Sequence, residues 1–197
     1  TWHVIRSFFH QYGMVSQQIA SFDHFLLKTA QEIVSETGPI VIYPKPQYIP
    51  GQEASKALRY EFHFEQLHVY SRPTFDERDG TNNIIYPNQA RLRNLTYETT
   101  MRMDVRYKIY EEDKIFQNVL QSKIPLGTVP LMVRSNFCIL KGKGDEERIQ
   151  AGECEYDEGG YFVINGGEKV IVAQEKMMNN FVYVFKKKQP SKCQVVC

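Results

Sequence analysis

Apolar residues recur at two different periods along this chain, and the change of period divides it. Trp2, Ile5, Phe9 and Tyr12 fall near one face of a 3.6-residue repeat, which predicts a first helix ended by Gly13. A second helix follows, with Ser16 or Ser21 as its cap and Ile19, Phe22, Leu26 and Ile33 as its stripe, and Gly38-Pro39 stops it. Pro44, Pro46, Pro50 and Gly51 among polar residues mark 44–57 as an exposed loop. Beyond the loop the period is two. Leu58, Tyr60, Phe62 and Phe64 alternate with polar partners, and Met101, Met103, Val105, Tyr107 and Ile109 share one face of a strand. Arg102, Asp104, Arg106 and Lys108 lie on its other face, the side expected to be solvated.

Short apolar runs continue at 129–133, 137–140, 161–164, 170–173 and 181–185, and Gly144 to Gly152 fits either a short helix or a polar loop. Two of these runs flank Asn165-Gly166, the dipeptide best suited to the positive φ angles of a type I′ turn, so they predict a β-hairpin. The expected fold class is α+β: two N-terminal helices, then a mostly antiparallel, hairpin-connected sheet. No internal repeat or low-complexity tract interrupts it.

The wording of the hairpin carries more than its shape. Residues 159–175, GGYFVINGGEKVIVAQE, closely resemble a signature of the second-largest subunit of multisubunit RNA polymerases. Two further blocks match in the same order. Residues 87–97, PNQARLRNLTY, resemble the family's Ala-Arg-Leu-Arg-Asn-Leu-Thr-Tyr block. Residues 129–138, VPLMVRSNFC, resemble its Pro-Ile-Met-(Leu/Val)-Arg-Ser-x-x-Cys block. The flanks 16–25 and 175–187 are similar to the nuclear polymerase II version, and Asn94 points the same way. One loop departs from the pattern. Eukaryotic relatives have Cys-Pro-x-Asp-Pro-Gly-Gly where this chain reads Cys154-Glu155-Tyr156-Asp157-Glu158-Gly159-Gly160, which leaves that loop less restricted in φ.

The resemblance implies the N-terminal protrusion region of such a subunit over 1–197, an excerpt of a much longer chain whose next domain begins near 190. It implies an intact enzyme that is a Mg²⁺-dependent, DNA-directed nucleotidyltransferase in the nucleus. This region would form a non-catalytic wall of the DNA cleft near the RNA–DNA hybrid. Its partners would be other polymerase subunits, especially the largest, the DNA template and general initiation factors. Polymerases I and III and plant derivatives of polymerase II are the alternatives within that function. A stand-alone β-rich interaction module is the alternative of another class.

Composition narrows the picture. The 197 residues suit about one domain, and 42% hydrophobic with 13% aromatic content supports a real core. A formal charge of +1 argues against a chain that holds DNA by itself. No apolar run reaches membrane-helix length, and the N-terminus lacks a signal-peptide core. Cys138, Cys154, Cys193 and Cys197 lack the paired spacing of a zinc site and are expected as reduced thiols.

Candidate chemistry is sparse. Lys141-Gly142-Lys143-Gly144 lacks the spacing and hydroxyl of a phosphate-binding loop. The acidic clusters Asp76-Glu77-Arg78-Asp79 and Glu111-Glu112-Asp113 read as solvated loops beyond strands, and the five histidines are dispersed. No catalytic residue and no metal ligand is expected, the Mg²⁺ being bound outside this region. The Asn94-Leu95-Thr96 sequon is set aside, and Lys186-Lys187-Lys188 reads as a solvated strand end. Arg91 and Arg93, two apart in extended chain, would share a face suited to a carboxylate of a neighbouring domain or a phosphate, with the protein partner favoured. Lys169 and Gln174 stand where the bacterial β subunit has Arg and Gln, on a strand that runs toward the hybrid in that family. Lysine supplies a point charge there and glutamine both a donor and an acceptor. The expected assignments are Lys169, Gln174, Lys176 and Arg93 near nucleic acid, and Arg91 and Arg134 at inter-domain contacts.

Overall fold

A computed structural model describes residues 1–44, 58–70, 73–76, 80–111, 114–186 and 195–196. Helix α1 spans Trp2–Tyr12 and ends at Gly13, whose φ of 75° lets its N–H return to the Phe9 carbonyl at 2.9 Å. Its apolar stripe has formed but buries nothing: Trp2 is 76% exposed and Phe8, Phe9 and Tyr12 are also open.

The second helix is one run in three parts: α2 (Ser16–His24), a π-helical turn (Phe25–Thr29) and α3 (Ala30–Glu36). Ser16 is its first helical residue and Val15 stands at the cap, with no side-chain capping bond. The wider turn inserts one residue into the helical repeat. Its buried line therefore runs Asp23, Leu26, Ala30, and Ile33, expected on that face, is 54% exposed. The same shift aims Gln31 at the next sheet. Its Nε2 donates to the Glu65 carbonyl at 2.9 Å and its Oε1 accepts from the Leu67 N–H at 2.8 Å. Those two groups flank a β-bulge between Phe64 and Leu67, so the amide satisfies backbone polarity that the ladder leaves free.

The main sheet is antiparallel with order β1 (Ile40–Ile42), β2 (Leu58–Val69), β5 (Glu98–Glu111), β6 (Lys114–Pro130). Between β2 and β5 lie the pair β3 (Thr74–Asp76) and β4 (Asn82–Ile84) and the short helix α4 (Pro87–Leu92). Register places Phe62 against Tyr107 and Phe64 against Val105 on the apolar face. The charged face is not simply wet. His68 donates to Asp104 at 3.0 Å, Arg106 reaches Glu65 at 2.5 Å, and Arg102 stacks 5.5 Å over Tyr70. The first two are cross-strand pairs that stabilise β2 on β5.

The core lies beside this sheet, where Leu26, Ile85, Ala90, Tyr97, Leu131, Val133, Cys138, Leu140 and Val163 pack together. Residues 131–140 are not strands, apart from one bridge between Met132 and Phe162. Successive three-residue turns return Ser135 N–H to Met132, Cys138 N–H to Ser135 and Lys141 N–H to Cys138. The apolar run is buried as a coiled segment because its backbone bonds are met locally. Asp23, buried on α2, accepts the Asn136 N–H at 2.8 Å and pins that segment. Helix α5 (Asp145–Gln150) settles the reading of 144–152, and Glu147 accepts the Gly144 N–H at its start.

The class is α+β as expected, with the sheet formed mainly by antiparallel neighbours. Two expected strands are cut short. The hairpin pairs only β7 (Phe162–Ile164) with β8 (Gly167–Lys169), and 170–173 lie outside any ladder with Val172 71% exposed. Of 181–185 only Phe185 is in a strand, β9 (Phe185–Lys186), paired with β10 (Val195–Val196). Most of the proline-rich loop (45–57), residues 77–79 and 112–113 of the acidic clusters, Lys187, Lys188, the boundary near 190 and Cys193 and Cys197 lie outside the described residues. Cys138 is a buried thiol and Cys154 an exposed one.

Candidate nucleic-acid interface

The hairpin tip has the backbone its sequence predicts, with Asn165 at φ 49° and Gly166 at φ 77°. It is also docked. Gly166 N–H donates to the Leu95 carbonyl at 3.0 Å, Asn165 N–H to Thr96 Oγ1 at 3.1 Å, and Tyr97 N–H to the Val163 carbonyl at 2.9 Å. A Cβ at position 166 would lie 2.7 Å from Asn94 Oδ1 and 2.9 Å from Asn94 Cα, so only glycine permits this approach. Position 159 is tighter still, a Cβ there falling 2.4 Å from the Val133 carbonyl. The three sequence blocks meet here. Leu131 N–H donates to the Tyr97 carbonyl, Val133 N–H to Tyr161, and Gly160 N–H back to Val133.

Tyr97 is the centre of that junction and is fully buried. Its hydroxyl donates to Cys138 Sγ at 3.4 Å and accepts the Ile139 N–H at 3.1 Å. Burial, with Cys138 beside it, holds the phenol far above its ordinary pKa. Burial likewise raises the Cys138 thiol, which is therefore inert rather than nucleophilic.

Arg91 is the second anchor, and it faces inward. Its Nη1 donates to Glu153 at 2.9 Å, its Nε to Glu168 on β8 at 2.9 Å, and its Nη2 to the Tyr161 hydroxyl, with Asp157 at 3.6 Å. Tyr161 in turn donates to Asp157. The Glu153 side chain is 3% exposed and also accepts the Asn88 N–H at 2.7 Å, whereas that of Glu168 is 57% exposed. Burial alone would lower the Arg91 pKa, but the hydrogen bond and charge of Glu153, with Tyr161, hold it above its ordinary value.

Helical geometry corrects the shared face expected of Arg91 and Arg93. Pro87 occupies the first turn of α4, residues two apart on a helix diverge, and Arg93 caps the helix with its guanidinium 5.0 Å over Phe75. Arg134, at φ 68°, donates to the Asp157 carbonyl at 2.8 Å. Burial and the nearby Arg148 charge lower its pKa. Both residues expected at inter-domain contacts thus bind groups of this chain. Lys169 ends β8 opposite Phe162, and Lys169, Gln174 and Lys176 are all exposed along one stretch. Glu153, Asp157, Tyr161 and Glu168 were missed by sequence reasoning, because their partner is 62 to 77 residues away.

An apolar groove of about 680 Å³ runs beside the hairpin, between Phe22 and Phe25 of the second helix, Val129 and Pro130 of β6, and Lys169 to Ile171. Among the described residues no three His, Cys, Asp or Glu side chains gather as a metal site would require, and the acids that do converge face Arg91. No helix of the described residues is long and apolar enough to cross a membrane.

The family model described as RNA polymerase beta subunit matches residues 13–188. The chain belongs to the RNA polymerase beta-subunit family. It is 44% identical over 191 residues to DNA-directed RNA polymerase II subunit RPB2 of Encephalitozoon cuniculi, covering 97% of this chain and 16% of that protein. To DNA-directed RNA polymerase II subunit 2 of Arabidopsis thaliana it is 43% identical over 196 residues, again 97% of this chain and 16% of the relative. The archaeal DNA-directed RNA polymerase subunit Rpo2N of Methanothermobacter thermautotrophicus is 33% identical over 180 residues, with 91% of this chain and 31% of the relative covered. The chain therefore spans about one sixth of the length of the polymerase II relatives. Within the family match, the blocks at 87–97, 129–138 and 159–175 build the Tyr97 junction. The first and third supply Arg91, Tyr161 and Glu168 to the Arg91 cluster, whose Glu153 and Asp157 come from the segment between the blocks.

Proposed function

We propose that this polymerase beta-subunit segment is the protrusion region of the second-largest subunit of RNA polymerase II, a non-catalytic wall of the DNA cleft near the RNA–DNA hybrid. The intact enzyme is then a nuclear DNA-directed nucleotidyltransferase. Its Mg²⁺ is held outside this segment, and the largest subunit, template DNA and initiation factors are its partners. The observation that carries this reading is the docked hairpin. Its tip is tied by backbone bonds to 95–97, while the chain that follows presents Lys169, Gln174 and Lys176 outward. A rigid mount with an exposed cation suits a phosphate contact that positions without reading sequence. Arg93, exposed at the end of α4, joins that surface only if the hybrid also approaches α4.

The test is a reconstituted elongation complex on a synthetic scaffold carrying photoreactive thio-nucleotides. Crosslinks to the peptide containing 169–176 are expected. Lys169→Glu should weaken the complex by roughly 0.5–1.5 kcal/mol without changing subunit assembly, the size of one exposed charge contact. Crosslinking elsewhere in the cleft but not to this peptide would make the hairpin architecture only.

A further inference from the structure

We propose that Glu168, held by Arg91, is a positioning residue that fixes strand β8 and thereby sets where Lys169 is presented. The inference rests on the reading of Lys169 as a nucleic-acid neighbour and adds how that neighbour is aimed.

Adjacent residues of a strand point to opposite faces. Glu168 turns toward α4, where the Arg91 Nε holds it at 2.9 Å, and Lys169 turns toward the apolar groove that it lines. After Lys169 the ladder stops, and among the described residues no side chain from 170 to 182 makes a hydrogen bond or ion pair. Among the described residues Glu168 is thus the last side-chain anchor before a long exposed stretch. Its partner is not a mobile surface arginine. The Arg91 guanidinium is fixed from other sides by the buried Glu153 and by Tyr161. An anchor on a preorganised cation restrains direction better than one on a free side chain. The pairing also keeps the Glu168 charge engaged with Arg91, leaving Lys169 without a carboxylate partner among the described residues.

Glu168→Gln tests this in the full-length subunit within the assembled polymerase. The side chain is 57% exposed, so the variant should fold and assemble, whereas removing Arg91 would strand the buried Glu153. The substitution removes one negative charge beside Lys169. A role through net charge alone therefore predicts stronger crosslinking of thio-nucleotides to 169–176 and slower dissociation of the scaffold. Positioning predicts the reverse: a yield lower by about threefold, the scale of one exposed ion pair, with assembly unchanged. An unchanged or increased yield in Glu168→Gln, with strong crosslinking in the parent enzyme, overturns the positioning role alone. No crosslink to 169–176 even in the parent enzyme overturns the underlying reading, and this inference with it.

Discussion

Gly166 shows how one residue can be required twice. Its φ of 77° suits the turn, and its missing side chain lets the turn close on Asn94. Gly166→Val adds a Cβ at 2.7 Å from Asn94 Oδ1 and a β-branched residue at positive φ, and should destabilise the chain by about 1–3 kcal/mol. Denaturant unfolding checks this: the midpoint should fall with an unchanged slope, and an unaltered midpoint would place the strain elsewhere. The first requirement was legible in sequence, because Asn-Gly between apolar runs is a local signal. The second was not, since Asn94 is brought to Gly166 only by the fold. Arg91 marks the same boundary. Its spacing from Arg93 suggested a shared anionic partner in a neighbouring domain, whereas the helix parts the two and Arg91 binds carboxylates of this chain. Pro87 at the start of a helical turn was the available signal for α4.

At the scale of elements, β2 and β5 were legible by their period, whereas β6, whose residues are mostly exposed and carry no such alternation, and the bulges of the sheet were not. Opposite Asp104 the ladder skips between Met103 and Val105, and Lys123 adopts φ 58°. Asp104 resolves that irregularity with both oxygens, one accepting from His68 at 3.0 Å and the other from the Lys123 N–H at 2.7 Å. The hydrogen bond from His68, then that from Lys123, lowers the Asp104 pKa below its ordinary value. A carboxyl depressed in the folded state adds stability above the unfolded pKa, and that stability is lost as pH falls through the folded value. The sheet should therefore loosen in acid, below about pH 4, and Asp104→Asn should flatten that part of the stability–pH curve. Melting temperatures of both chains from pH 7 down to pH 2 test it, and parallel curves would remove Asp104 from the account. The π-helical turn is likewise non-local in cause. It rotates the helix so that Gln31 meets the β2 bulge, which no window of helix sequence reveals.

The whole molecule combines a near-neutral charge with large open apolar surfaces. The net charge is +1, α1 buries none of its residues, and the stretch around Val170 to Val172 is exposed. Such surfaces belong to a segment covering 16% of its polymerase II relatives, since patches of this kind mark interaction faces. The charge decides how the chain behaves alone. With Lys169 and Lys176 as the exposed cations of the proposed contact, about two phosphates are neutralised, and affinity should lie in the nonspecific range of roughly 10⁻⁴–10⁻⁶ M. Two contacts also imply only about a tenfold loss between 50 and 200 mM salt, from a slope near −0.9 per phosphate. In the assembled enzyme neighbouring domains would supply the remaining contacts, so hybrid retention should be far tighter while the increment from Lys169 stays that of one charge. Fluorescence anisotropy of a labelled RNA–DNA duplex, titrated with the isolated chain at both salt concentrations, measures the first quantity directly. Nanomolar binding by the isolated chain, or a salt slope several times steeper, would mean that this segment carries a nucleic-acid site of its own rather than a wall that acts only within the assembly.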